Sequence, residues 1–133
     1  MAFEERYRLL LASGQASEET IAATQFVVKL VESRYGINLT EALGSMLVSH
    51  LAITLRRLKD GEMLSDMPNE VWNELRQYPD DLQFATEVVE RIEGLLGMPL
   101  PRSEIGFLTV HLIKLRIDIE QERNKKGGAS KKT

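Results

Sequence analysis

Apolar residues recur at spacings of three and four along most of this chain, and this helical period constrains the fold more than any other feature. No stretch alternates apolar and polar residues as a half-buried strand does, and no turn pair typical of a β-hairpin occurs. The pattern therefore predicts an all-α protein. One clear example is the stripe formed by Ile21, Thr24, Val28, Val31 and Tyr35.

Capping residues and helix breakers divide this pattern into five main helices. Ser17 is the expected cap of the first, and Asn38 with Glu41 has the form of a capping box for the second. A short third helix ends at Tyr78-Pro79, because the residue before proline disfavours helical geometry. The second helix carries one stripe formed by Leu39, Leu43, Met46, His50, Ile53 and Arg57.

The expected architecture is a compact five-helix bundle with a possible short extra helix near the N-terminus. Residues 1–16 are interpreted as an N-terminal extension, 17–121 as the helical domain and 122–133 as a basic flexible tail. The fifth helix is expected to run from about Arg102 into the region of Gln121. Gly106 inside it costs about 1 kcal/mol relative to alanine, which predicts a close approach to another helix.

Composition excludes several function classes. The chain has no cysteine, so it has no disulfide framework and no thiol catalysis, as expected for a cytoplasmic protein. No apolar run is long enough to span a membrane. The net charge is −3, and without the four lysines of the tail the body has 13 basic and 20 acidic residues, which argues against direct nucleic-acid binding as its main role.

The chain has two histidines, His50 and His111, and each lies in an apolar helical run. They are too few for a zinc site, and no nucleophile-base set indicates an enzyme or a cofactor. Each histidine is either a hydrogen-bonded core residue or a phosphoryl acceptor, since a neutral imidazole is a competent nucleophile near pH 7. Arg57 lies two helical turns after His50, where it could balance phosphoryl charge or form an ordinary surface ion pair.

Three segments, in this order, resemble the PTS regulation domain (PRD) family, the all-helical module of bacterial antiterminators and activators controlled by the sugar phosphotransferase system. The first runs from His50 to Arg57 and is followed by Gly61. The second is the Tyr78-Pro79 break with the helix after it, which ends at Gly97. The third is Leu100-Pro101 followed by Glu104 to His111. The resemblance covers residues 17 to 120.

The resemblance implies a five-helix bundle that pairs as a homodimer and regulates transcription. It implies phosphorylation of His50 and His111 by HPr or an enzyme II B component, with Arg57 supporting the first site. Ser49 departs from the acidic residue that many members have before the first histidine. The alternative is therefore a protein-interaction module of the same fold that no longer accepts phosphate. The length predicts a stand-alone domain or a fragment of a longer regulator.

Overall fold

The computed structural model describes residues 2–131, with side chains through residue 125. Over these residues the chain forms six α-helices and no strand: α1 (Glu4–Ala12), α2 (Glu18–Tyr35), α3 (Glu41–Lys59), α4 (Asn69–Leu75), α5 (Pro79–Leu96) and α6 (Arg102–Lys131). The all-α prediction is confirmed. The helix count is one more than that of a five-helix bundle, and α1 is the short N-terminal helix that the sequence presented as possible.

Four long helices pack around one core in a closed ring. Helix α2 packs against α3, α3 against α6, α6 against α5, and α5 against α2. Each contributes fully buried aliphatic side chains, among them Val27, Leu51, Val88 and Leu112. The short helices lie outside this ring, α1 on α3 and α4 on α6. The contact between α3 and α6 brings the two histidine-bearing segments together.

Helix ends follow the capping residues at most positions. The Ser17 hydroxyl accepts from the Thr20 N–H at 3.2 Å, while the Thr20 hydroxyl accepts from the Ser17 N–H at 3.0 Å. The predicted cap of α3 is wrong, because Thr40 and not Asn38 caps this helix. Leu39 is buried in the core, and its N–H donates to the Glu32 carboxylate at 2.7 Å, so the chain turns helical only after it.

The core-facing side of α3 differs from the stripe that the sequence suggested. Met46 is 66% exposed, and His50 and Ile53 are half-buried. The predicted stripe therefore lies at the edge of the core, where solvent reaches His50. The residues of α3 that are buried are Gly44, Leu47, Val48, Leu51, Ala52, Thr54 and Leu55.

Helix α6 continues to Lys131, beyond the predicted end near Gln121. The flexible tail at 122–133 stays a prediction, because side chains from residue 126 onward lie outside the described residues. The close approach at Gly106 is confirmed, since a Cβ there would lie 3.2 Å from Cη2 of Trp72 in α4. Within residues 2–131, none of the helices combines the length and apolar character needed to cross a bilayer.

Candidate functional site

The two histidines meet where α3 packs against α6. The ring centroids of His50 and His111 lie 5.0 Å apart, and the ring planes are inclined by 43°. Phe107, one turn before His111 on α6, places its ring 5.5 Å from that of His50. Residues 61 positions apart in the sequence are thus neighbours in one side-chain cluster.

A buried carboxylate holds His50. Oε1 of Glu104 lies 3.2 Å from Nε2 of His50, and the side chains of Glu104 and His50 are 2% and 23% exposed. With the Glu104 carboxylate as the acceptor of this bond, Nε2 of His50 carries the proton and Nδ1 carries the lone pair. The second oxygen, Oε2, is buried and has no hydrogen-bond partner among the described residues. Glu104 therefore orients the His50 ring, and as an acceptor it favours the tautomer with the proton on Nε2.

His111 is held in its neutral form. Burial lowers the pKa of His111 from 6.5 to about 4, and the positive charge of protonated His50 adds to this effect. At neutral pH the His111 ring therefore keeps a lone pair on one nitrogen. A neutral imidazole of this kind can attack a phosphoryl donor.

An open pocket of about 390 Å³ lies beside the histidines, lined by Arg6, Ser45, Met46, Ser49, His50 and His111. Arg6 comes from α1, and its Nη1 donates to the Ser49 hydroxyl at 2.8 Å. The other edge of the guanidinium, Nε and Nη2, donates to Oε1 of Glu41. A cationic side chain from the N-terminal helix therefore stands at the edge of the histidine cluster.

Arg57 lies away from the two histidines, about 10 Å further along α3 than His50. Its Nε donates to Oε1 of Glu62 at 3.1 Å, and both side chains are about half exposed. The structure places Arg57 in a surface ion pair, and its supporting role stays a prediction. In the described part of the chain, no three His, Asp or Glu side chains are grouped so as to hold a metal ion.

Sequence reasoning assigned no role to two residues of this cluster, Glu104 and Arg6. Glu104 lies seven residues before His111, a spacing that returns to the same helical face after two turns, so this signal was present in the sequence. Arg6 has no such signal, because it is 43 positions from its partner Ser49. Its position depends on how α1 packs.

Two proteins with similar sequences are antiterminators. The beta-glucoside operon antiterminator of Dickeya chrysanthemi is 26% identical over 101 residues, which are 75% of this chain and 35% of that protein. The transcription antiterminator LicT of Bacillus subtilis (strain 168) is 21% identical over 103 residues, or 77% of this chain and 36% of LicT. The chain thus spans about a third of the length of these curated relatives.

The fold has a matching solved structure as well. The crystal structure titled GlcT CAT-PRDI superposes with a TM-score of 0.66 at 25% identity, covering 84% of this chain and 64% of that chain. The profile of the family described as PRD domain matches residues 25–115, which include α3, His50, Glu104 and His111. Because this match extends over more than half of the sequence, the chain belongs to the PRD domain family.

Proposed function

We propose that this chain is a regulatory domain of an antiterminator-type system, phosphorylated on His50 and His111 by HPr or an enzyme II B component of the sugar phosphotransferase system. The observation that carries the proposal is the pair of histidine rings 5.0 Å apart, one of them bonded to a buried carboxylate. The link to control of transcription is supported by the two relatives, both of which are named as antiterminators.

Phosphoryl transfer to a histidine requires few groups on the acceptor protein besides a neutral imidazole. With a phosphohistidine donor such as HPr, the Nδ1 lone pair of His50 attacks the phosphorus and the P–N bond of the donor breaks. The donor imidazole, protonated on its other nitrogen, leaves as a neutral ring. His50 keeps its Nε2 proton and becomes a phosphoimidazolium, whose positive ring faces the Glu104 carboxylate. Glu104 thus stabilises the charge that the reaction creates.

The product changes the charge of the α3–α6 contact. Each phosphoryl group adds about 1.5 to 2 negative charges and three acceptor oxygens. That charge would lie close to the Glu104 carboxylate and to Met46, an apolar side chain that is 66% exposed. A homodimer partner or another protein packed on this surface would respond to it, and this is the route by which the signal would leave the domain.

Intact mass of the untagged protein tests the proposal directly. The protein is incubated with phosphoenolpyruvate, enzyme I and HPr, with and without an enzyme II B component. We expect an acid-labile gain of one or two phosphoryl groups, reduced in His50→Ala and in His111→Ala and absent in the double variant. Because the sequence has only two histidines, the gain maps to them without further digestion. No gain with any donor would contradict the proposal.

The alternative is an interaction module of the same fold whose histidines are structural. It is favoured by the burial of Glu104 and by the half-buried position of both rings. It predicts that replacing either histidine with alanine lowers the free energy of unfolding by about 2 kcal/mol or more, since His50→Ala leaves Glu104 without its partner and His111→Ala removes a ring packed against His50. A phosphoryl acceptor at the rim predicts a smaller loss.

A further inference from the structure

Helix α1 is a fixed part of this domain although it lies outside residues 25–115 that match the family profile. Phe3, Tyr7 and Leu10 follow one another at spacings of four and three, and all three are buried against the core. The ring of Phe3 fills the space left by Gly44 in α3, where a Cβ would lie 2.8 Å from Cζ of Phe3. This packing holds Arg6, on the same helix, over the start of α3.

The guanidinium of Arg6 has two edges with different partners. The edge made by Nε and Nη2 faces the Glu41 carboxylate, whereas Nη1 faces the neutral hydroxyl of Ser49, the residue before His50. A phosphoryl oxygen could replace the Ser49 hydroxyl without breaking the ion pair with Glu41. The exchange would replace a neutral acceptor of the Arg6 guanidinium with a negatively charged one, and guanidinium–phosphate pairs add Coulombic attraction and bidentate geometry to the hydrogen bond.

The other cations near the histidines do not line the pocket that both rings share, and each is in an ion pair of its own. Lys114, which lines a neighbouring small pocket with His111, pairs with Asp118 at 2.9 Å. Arg57 pairs with Glu62. Among the described residues that line the 390 Å³ pocket beside both rings, Arg6 is the one that carries a permanent positive charge. Arg6 is therefore the cation that shares a pocket with both rings and could bind a phosphoryl group carried there.

We propose that Arg6 binds the phosphoryl group carried by His50 or His111, and that phosphorylation thereby fastens α1 more tightly to α3. This inference rests on the proposed function, because it names the residue that responds to phosphate at the same site. It makes α1, the helix added before the family-matched residues, the element whose stability reports the phosphorylation state.

Hydrogen exchange of the α1 amides, measured by mass spectrometry on the full chain, tests this inference. Potassium phosphoramidate serves as the donor, because it phosphorylates imidazole directly: the P–N bond of the reagent breaks and ammonia leaves. We expect phosphorylation to slow exchange across residues 4–12 by about fivefold in the wild type and not to slow it in Arg6→Gln. Arg8→Gln is the matched control, since Arg8 pairs with Glu5 on the exposed side of α1.

A second variant, Ser49→Asp, offers Arg6 a permanent carboxylate in place of the Ser49 hydroxyl. We expect slower exchange in α1 before any phosphorylation and a smaller further change after it. Unchanged α1 exchange in phosphorylated wild type, or an equal change in Arg6→Gln, would show that Arg6 does not bind the phosphoryl group. Either result would leave the proposed function untouched.

The two proposals fail in different ways. If phosphoramidate modifies the histidines but HPr and enzyme II B transfer nothing, the proposed function is wrong, and the exchange data still decide the role of Arg6. If phosphoramidate modifies neither histidine under conditions that modify free imidazole, the pocket does not admit a phosphoryl group and both proposals are wrong.

Discussion

Glu104 determines the chemistry of His50 more directly than any other side chain of the described chain. Its carboxylate is almost completely buried, it lies 3.2 Å from Nε2 of His50, and its second oxygen has no hydrogen-bond partner among the residues described. A buried carboxyl group with an unpartnered oxygen is costly in a folded protein. Under the proposed function this cost would be offset, because the carboxylate would face the positive ring of a phosphorylated His50.

The substitution Glu104→Gln removes the negative charge and keeps nearly the same side-chain shape. The amide oxygen can still accept from Nε2, but the negative charge opposite the phosphorylated ring is gone. In a His111→Ala background, where His50 is the remaining acceptor, we expect the rate of phosphorylation by HPr to fall about tenfold or more. The rate is followed by intact mass, with thermal unfolding as a check that the variant folds. An unchanged rate would leave Glu104 a purely structural partner.

At the residue scale, sequence reasoning finds His50 and His111 because they are the two histidines and lie in recognisable segments. It does not reveal that the rings touch the same cluster, since that depends on which helices are neighbours. Sequence reasoning cannot identify Arg6 as part of the cluster for the same reason. A contact across 43 positions is set by the packing of Phe3 against Gly44, and no local pattern records that packing.

Among the elements, α4 is positioned on α6 by a glycine. A Cβ at Gly106 would overlap Sδ of Met67 and lie 3.2 Å from Cη2 of Trp72. The Trp72 indole is itself held, since Nε1 donates to Asp66 and the guanidinium of Arg102 stacks 4.6 Å from its ring. Met67 can move aside more easily than this ring.

We therefore expect Gly106→Ala to lower the free energy of unfolding by about 1 kcal/mol, because overpacking outweighs the helix propensity of alanine. The fluorescence of Trp72, the single tryptophan, should shift as α4 moves. Gly94→Ala in α5 is the control: its Cβ would meet no atom within 4 Å, so it should raise the free energy of unfolding by about 0.5–1 kcal/mol. Equal effects of both substitutions in urea unfolding would contradict this account of the close approach.

The helices themselves are largely predictable, since glycine and proline breaks mark most of their ends. Which face of α3 is buried in the core is not predictable in this way. Its stripe through Met46, His50 and Ile53 and its buried stripe through Leu47, Leu51 and Leu55 are both apolar at helical spacing. Periodicity alone cannot choose between two such stripes. The choice is made by α2 and α6, which both pack on α3 and cover the second stripe.

At the scale of the whole molecule, the ring of four helices places the histidines in a contact that contributes to stability. The pKa of His111 is lowered to about 4 in the folded chain, against 6.5 for the free side chain. Between these two values the unfolded chain binds a proton that the folded chain does not bind. The free energy of unfolding should therefore fall as the pH falls from about 6.5 to about 4. Above about pH 6.5 His111 is neutral in both states, so it gives the free energy of unfolding no pH dependence there.

The other charged groups around His111 decide how this prediction must be measured. His50, which is bonded to Glu104, lies against the His111 ring, and Lys114 and Asp118 line a small pocket together with His111. Because His111 is partly exposed, we expect its own contribution to be about 1–2 kcal/mol, less than its full shift implies. His111→Asn, which cannot titrate, should lose that much less stability than wild type in urea unfolding between pH 7 and pH 4.5. Parallel curves for the two proteins would mean that His111 binds its proton freely in the folded state, and that the α3–α6 contact does not exclude charge as its geometry requires.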